Sequence, residues 1–309
     1  MKIAIIGAAG TVGSCTAYTL ALKGLADELV LFDVNPNLLL THVMDISTAV
    51  NGIQNTKIWA GRDEDLRQSD IVIVAAGVPF VPNTPALNLL RDNLSIMKKI
   101  VPKIVTYCPE AVVITATNPT DSVNLGMFLM STKLDRMKVL GYTLNDSMRF
   151  QIAAAKELGK QSTEVEAFAL GEHIDALALV FSSIKVNRQP VAMSEDTKQR
   201  IKQEVPNMIR SYIGLGTNRT AGWTSAVGIS QMVESIRTDS RRVTPCSVIA
   251  NGEYGCRGIS IGVPVTLGKR GIDRILEWDL AADEQKDFER SIKALEAKAR
   301  VVKEILDKG

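Results

Sequence analysis

The stretch Lys2-Ile3-Ala4-Ile5-Ile6-Gly7-Ala8-Ala9-Gly10-Thr11-Val12-Gly13, with Glu28-Leu29-Val30-Leu31-Phe32-Asp33 after it, decides how the chain is read. The apolar run up to Ile6 has the length of a strand. Glycines then break it, and helical sequence continues to about Leu22. A strand, a glycine turn, a helix and a second strand ending on an acid make one βαβ unit. Lys2 and the apolar residues up to Leu22 also resemble a secretory signal, but the interrupting glycines and the second strand favour a folded domain.

The turn indicates a ligand. Small residues at Gly7, Gly10 and Gly13 let main-chain N–H groups approach a pyrophosphate, and the helix opening at Thr11 and Val12 offers partial positive charge. Asp33 ends the next strand, where it would accept hydrogen bonds from ribose hydroxyls and repel a 2′-phosphate. NAD is therefore the expected cofactor, in preference to NADP.

Working outward, apolar runs alternate with helical segments through the first half: 2–6, 28–32, 57–60, 70–75, 111–117 and 138–140. Such alternation winds into a parallel sheet, and the runs apolar on both faces predict strands covered by helices on each side. Beyond Tyr142 the pattern becomes mixed. A long helix is expected over 146–158, strands over 166–169 and 177–186, and a strand region over 241–265. The last helix carries Phe288, Ile292, Leu295, Ala299, Val302 and Leu306 as an apolar stripe, read as core packing. The expected fold is α/β: a Rossmann-type doubly wound parallel sheet in 1–142, binding NAD, followed by an α+β substrate domain in 143–309.

Composition narrows the class of function. The 309 residues are 46% hydrophobic and 23% charged, with a formal net charge of +2, which suits a globular chain with a substantial core. No basic tract offers a nucleic-acid footprint, and no apolar stretch is long enough to span a bilayer. Cys15, Cys108, Cys246 and Cys256 form neither a close pair nor a zinc-ligand spacing, so no metal is expected and reduced thiols in a cytoplasmic protein are.

The chemistry gathers around Gly171-Glu172-His173 and Asp146-Ser147-Met148-Arg149. Histidine exchanges a proton near neutral pH, a carboxylate on its other ring nitrogen fixes the tautomer, and arginine grips a substrate carboxylate through paired hydrogen bonds. These parts suit a dehydrogenase of 2-hydroxy acids. Asp146 and Arg149, three residues apart on the expected helix, could instead form only an intrahelical ion pair.

With Ala76-Gly77, Thr117-Asn118-Pro119, Gly252-Glu253-Tyr254-Gly255 and Ile261-Gly262-Val263-Pro264 in the same order, the chain resembles the lactate/malate dehydrogenase family over essentially its full length. The resemblance implies His173 as acid/base, Asp146 as its orienter, Arg149 as the carboxylate clamp and Asn118 as a support for substrate and cofactor. It also adds Ala76, Gly77, Asn93 and Thr117 to the NAD site, and it implies a homodimer or homotetramer acting on a small 2-hydroxy or 2-keto acid.

The departures concern the loop after Gly77. Counting without gaps from Ala76-Gly77 to Asn93, the family's carbonyl-polarising arginine falls on Ala86 and its side-chain-selecting residue on Phe80. A phenylalanine there disfavours a second carboxylate and points to an apolar monocarboxylate. Arg91 is a candidate to replace the missing arginine. The second reading is an NAD-binding or regulatory relative with weak or lost turnover.

Overall fold

The computed structural model describes residues 1–79, 85–173, 176–217 and 219–308, and its framework is one twelve-stranded sheet. Strands β1 (Lys2–Ile6), β2 (Glu28–Phe32), β3 (Lys57–Ala60), β4 (Ile71–Val74), β5 (Val112–Thr115) and β6 (Val139–Tyr142) lie side by side in the order β3-β2-β1-β4-β5-β6. Every neighbouring pair is parallel. Parallel neighbours need crossovers, and helices α1 (Thr11–Leu22), α2 (Pro36–Val50), α3 (Ala86–Tyr107) and α4 (Thr120–Met130) lie in the connections between these strands. All four residues of β4 and of β5 are buried, as two-sided cover requires. Both strands are shorter than the apolar runs 70–75 and 111–117, because residues from Ala75 and Ala116 onward leave the sheet for the loops at its carboxyl edge.

The second half contributes α5 (Leu144–Leu158), β7 (Val165–Gly171), β8 (Leu177–Val186), the short β9 (Gln189–Pro190), α6 (Glu195–Gly214) and α7 (Gly222–Thr238). It ends with β10 (Val243–Asn251), β11 (Arg257–Gly268), β12 (Gly271–Ile275) and α8 (Ala282–Asp307). These strands are antiparallel among themselves, and β10 also pairs antiparallel with β6, Ser247 opposite Gly141. The sheet therefore runs on through β6 into the second half. All four residues of β6 are buried, so its far edge needs a hydrogen-bonding partner and β10 supplies it.

Helix packing stitches the halves further. Helix α7 lies against α1, and α8 lies against α4, β8 and β11. The apolar stripe of α8 is core as expected: Phe288, Leu295, Ala299 and Val302 are buried, with Ile292 and Leu306 packed at its margin. Parallel order has one consequence for the site. Strands β1, β4, β5 and β6 all end at the same edge, so the residues that follow them (Gly7, Ala76, Thr117 and, one turn into α5, Asp146) converge although they lie far apart in sequence.

Candidate active site

The glycine turn is shaped to receive a diphosphate. Gly7 has φ +89°, and a Cβ there would stand 2.4 Å from the Ala76 nitrogen. A Cβ on Gly13 would stand 2.1 Å from the Gly7 oxygen, so helix and turn touch backbone to backbone. Gly10 differs: only the Gly7 oxygen comes within 4 Å of a Cβ built there, at 3.4 Å, which leaves its outer side open. No side chain caps α1 at Gly10, so the first-turn N–H groups of Thr11, Val12 and Gly13 have no side-chain acceptor there and suit an anion.

Asp33 is fixed in the same place. Its carboxylate accepts the Ala9 N–H at 2.9 Å and the Asn35 N–H at 3.0 Å, tying the end of β2 to the glycine turn. Each oxygen still has acceptor capacity for a ribose hydroxyl. Val34, beside it, is 100% exposed, an apolar side chain placed to cover one face of a base. Sequence reading missed Val34; its only signal was an apolar residue directly after the acid.

Across the edge, Ala76-Gly77 is clamped from two sides. Asn93, buried on α3, accepts the Val78 N–H through Oδ1 at 2.8 Å and donates through Nδ2 to the Asn118 carbonyl at 2.6 Å. Thr117 donates to the Ala76 carbonyl at 2.8 Å. Asn93 thus holds two cofactor-side loops together. Asn118, before a cis bond to Pro119, is exposed; Thr120 donates to its Oδ1 at 2.9 Å, and its amide nitrogen makes no hydrogen bond among the described residues.

The proton-transfer residues meet at the junction of the halves. His173 Nδ1 lies 2.5 Å from Asp146 Oδ2, and the His173 backbone N–H donates to Asp121 Oδ2 at 2.9 Å. Burial by itself lowers the affinity of the imidazole for a proton, but Asp146, by charge and hydrogen bond, and Asp121, by charge, raise its pKa on balance above the ordinary value despite the opposing charge of Arg149. Arg149 donates to Asp146 Oδ1 at 3.0 Å, so the intrahelical pair exists alongside the histidine contact. Its side chain is 20% exposed, and its other nitrogens make no hydrogen bond among the described residues.

The turn carrying His173 is held from beneath. Gly171 has φ +88°, and a Cβ there would strike Ser291 of α8. Ser291 Oγ accepts the Glu172 N–H, and the buried Glu172 carboxylate pairs with Lys298, also on α8. Glu172 was legible as part of a motif, but its partner was not.

One candidate lies elsewhere. Arg91 is exposed on α3 and, with Leu87, Ser95 and Lys98, lines a groove against Val301 and Ile305 of α8, outside the hydrogen-bonded cluster around His173. Ala86 opens α3 and is exposed. Phe80 lies outside the described residues. Among the described residues no group of acids, histidines and cysteines could hold a metal, and no helix is long and apolar enough to cross a membrane.

Two family models match nearly the whole chain. Residues 1–141 match the lactate/malate dehydrogenase NAD binding domain, and residues 143–305 match the lactate/malate dehydrogenase alpha/beta C-terminal domain. Malate dehydrogenase of Halobacterium salinarum is 33% identical over 300 residues, covering 96% of this chain and 97% of that one. Among solved structures, Cryptosporidium parvum malate dehydrogenase superposes with a TM-score of 0.92 at 28% identity, over 98% of this chain and 99% of that one. Lactate dehydrogenase from Cryptosporidium parvum, solved with lactic acid and nicotinamide adenine dinucleotide, gives 0.90 at 29% identity over 98% of each chain.

Proposed function

This chain belongs to the lactate/malate dehydrogenase family, and from that membership we propose how its own residues carry the reaction. It is an NAD-dependent oxidoreductase that interconverts a 2-hydroxy acid and a 2-keto acid. Nothing in the comparisons favours a relative that has lost turnover.

The observation that carries the assignment is the contact of His173 Nδ1 with Asp146, because it leaves Nε2 as the ring nitrogen free to face substrate. In the reducing direction the imidazolium gives its Nε2 proton to the keto oxygen, while Asp146 steadies the charged ring and fixes its tautomer. Arg149 uses its remaining donors to hold the substrate carboxylate in register. Residues 1–142 bind the dinucleotide: Gly7, Gly10, Thr11, Val12 and Gly13 receive the pyrophosphate, and Asp33 takes the ribose. Ala76, Gly77, Asn93, Thr117 and Asn118 shape the nicotinamide end. When bound, NAD supplies the hydride acceptor, or as NADH the donor. Residues 143–309 bring the acid and the carboxylate clamp.

Phe80 makes an apolar or aromatic monocarboxylate the preferred substrate, since a distal carboxylate beside it would lie unpaired. The test is NADH consumption against 2-keto acids bearing apolar, aromatic and carboxylate side chains. Faster turnover of oxaloacetate than of every monocarboxylate would overturn the substrate reading.

Asp33 sets the cofactor preference through its charge. Asp33→Asn keeps an acceptor for the Ala9 N–H and removes the repulsion toward a 2′-phosphate, so the ratio of kcat/KM for NADH over NADPH is expected to fall. An unchanged ratio would show that discrimination lies elsewhere.

The chain acts as a homodimer or homotetramer in this reading. Three adjoining helices leave apolar side chains exposed: Tyr18 and Leu22 on α1, Leu40 and Met44 on α2, and Trp223 and Val227 on α7. A monomer in sedimentation at micromolar concentration would contradict it. Four free thiols suit a reducing compartment, the cytoplasm.

A further inference from the structure

Behind His173 lies a second buried carboxylate that the reaction as described above does not use. Asp121, on α4, accepts the His173 backbone N–H on Oδ2 at 2.9 Å and the Ser247 hydroxyl on Oδ1 at 2.5 Å. Ser247 Oγ lies 2.8 Å from Ser260 Oγ. Asn124 Nδ2 donates to Ser260 Oγ at 3.0 Å, and Thr115 Oγ1 donates to Asn124 Oδ1 at 2.9 Å. All five side chains are buried, and they come from β5, α4, β10 and β11, spanning the junction where the two halves of the sheet meet.

The direction of this chain follows from its end. An ionised carboxylate only accepts, so Ser247 must spend its single proton on Asp121. The bond between the two serines is then donated by Ser260, whose oxygen takes the Asn124 amide proton. Every donor points toward Asp121. Such an array favours the charged form of the acid and fixes its place beside the histidine.

We propose that Asp121 is a second positioning carboxylate of the acid/base centre, anchoring the His173 backbone and holding a negative charge against the imidazolium, with the chain from Thr115 to Ser247 keeping it ionised. The proposal rests on His173 being the acid/base. The charged groups facing His173 are Asp146 and Arg149 from α5 and Asp121 from α4; Asp121 also feels the neighbouring Glu172, which pairs with Lys298 of α8. Burial pushes the Asp121 carboxyl up to about 6, against the lowering influence of Ser247, the His173 N–H and the charge on His173. The acid therefore gains or loses its charge close to the range in which histidine titrates.

The chain contains two histidines, so an NMR titration of the ring protons, with His42→Gln for assignment, reports His173 directly. Asp121→Asn keeps the shape and removes the charge. It is expected to lower the His173 pKa by about one unit, the effect of losing a nearby opposite charge. The high-pH limb of kcat/KM for keto-acid reduction should move down equally, with its low-pH plateau close to wild type. Ser247→Ala removes one donor and should shift both in the same direction by less, and it decides the matter if Asp121→Asn does not fold. An unchanged His173 pKa in the folded variants, or a lower plateau with an unmoved limb, would overturn the proposal and leave Asp121 a scaffold residue. The titration needs no turnover, so it tells a failure of the Asp121 pairing apart from a failure of the acid/base assignment, which an active His173→Ala enzyme would show.

Discussion

Replacing His173 with alanine is expected to slow 2-keto-acid reduction by about 10²–10⁴-fold, the usual worth of a positioned general acid. NADH binding, measured by fluorescence, should change little, because the glycine turn and Asp33 lie at the other end of the cofactor path and share no hydrogen bond with the histidine. In the wild type, Asp146 and Asp121 hold the His173 pKa above its ordinary value, so the proton needed for reduction is kept to higher pH than on a free imidazole and is lost as pH rises through that raised value. Reduction should fall on the alkaline side and oxidation of the hydroxy acid should rise there, since the base form serves that direction. A His173→Ala enzyme with wild-type kcat/KM would remove the mechanism.

Placing an arginine where the gapless count puts the family's loop arginine should have the opposite sign. Ala86→Arg is expected to raise kcat for keto-acid reduction by about 10²–10³-fold, the worth of one preorganised donor at a developing oxyanion. Ala86 is exposed in the first turn of α3, so a longer side chain meets no core there. Adding Phe80→Arg should then move preference toward oxaloacetate by pairing its distal carboxylate. Arg91→Ala should leave the rate nearly unchanged, because Arg91 faces the α8 groove. If Ala86→Arg changes nothing while Arg91→Ala abolishes turnover, Arg91 carries the role and the site is not impaired.

Much of the architecture was legible because period and punctuation agree locally. The runs 2–6, 28–32 and 57–60 became strands with those bounds, and the stripe of α8 was read correctly from its spacing. The pairing of β6 with β10 was not legible. It joins residues a hundred positions apart, and nothing in either strand names its partner. The same limit applies inside the site. His173, Asp146 and Arg149 stand in motifs, so their types and spacing could be read, and the structure brings them together. Asp121 could not be found this way, since one acid after Asn118-Pro119-Thr120 looks like an ordinary helix-opening residue. Its meaning comes from Ser247 and from the His173 backbone, both distant in sequence. Arg91 shows the converse: a side chain of the right type, five residues past the counted position, that lines a groove against α8.

The grip of α8 on the turn at Gly171-Glu172 bears on how the protein is made. Ser291 and Lys298, which seat that turn, are synthesised more than a hundred residues after it, and α7, which covers α1, about two hundred residues after the glycine turn. At a synthesis rate of about 5–20 residues per second, the nascent chain carries its glycine turn and its histidine for roughly 6 to 40 seconds before either has its final neighbours. The turn that carries His173 is therefore seated only after α8 has been made. A chain released early would present a parallel sheet with β6 unpaired, a surface for chaperones or for aggregation.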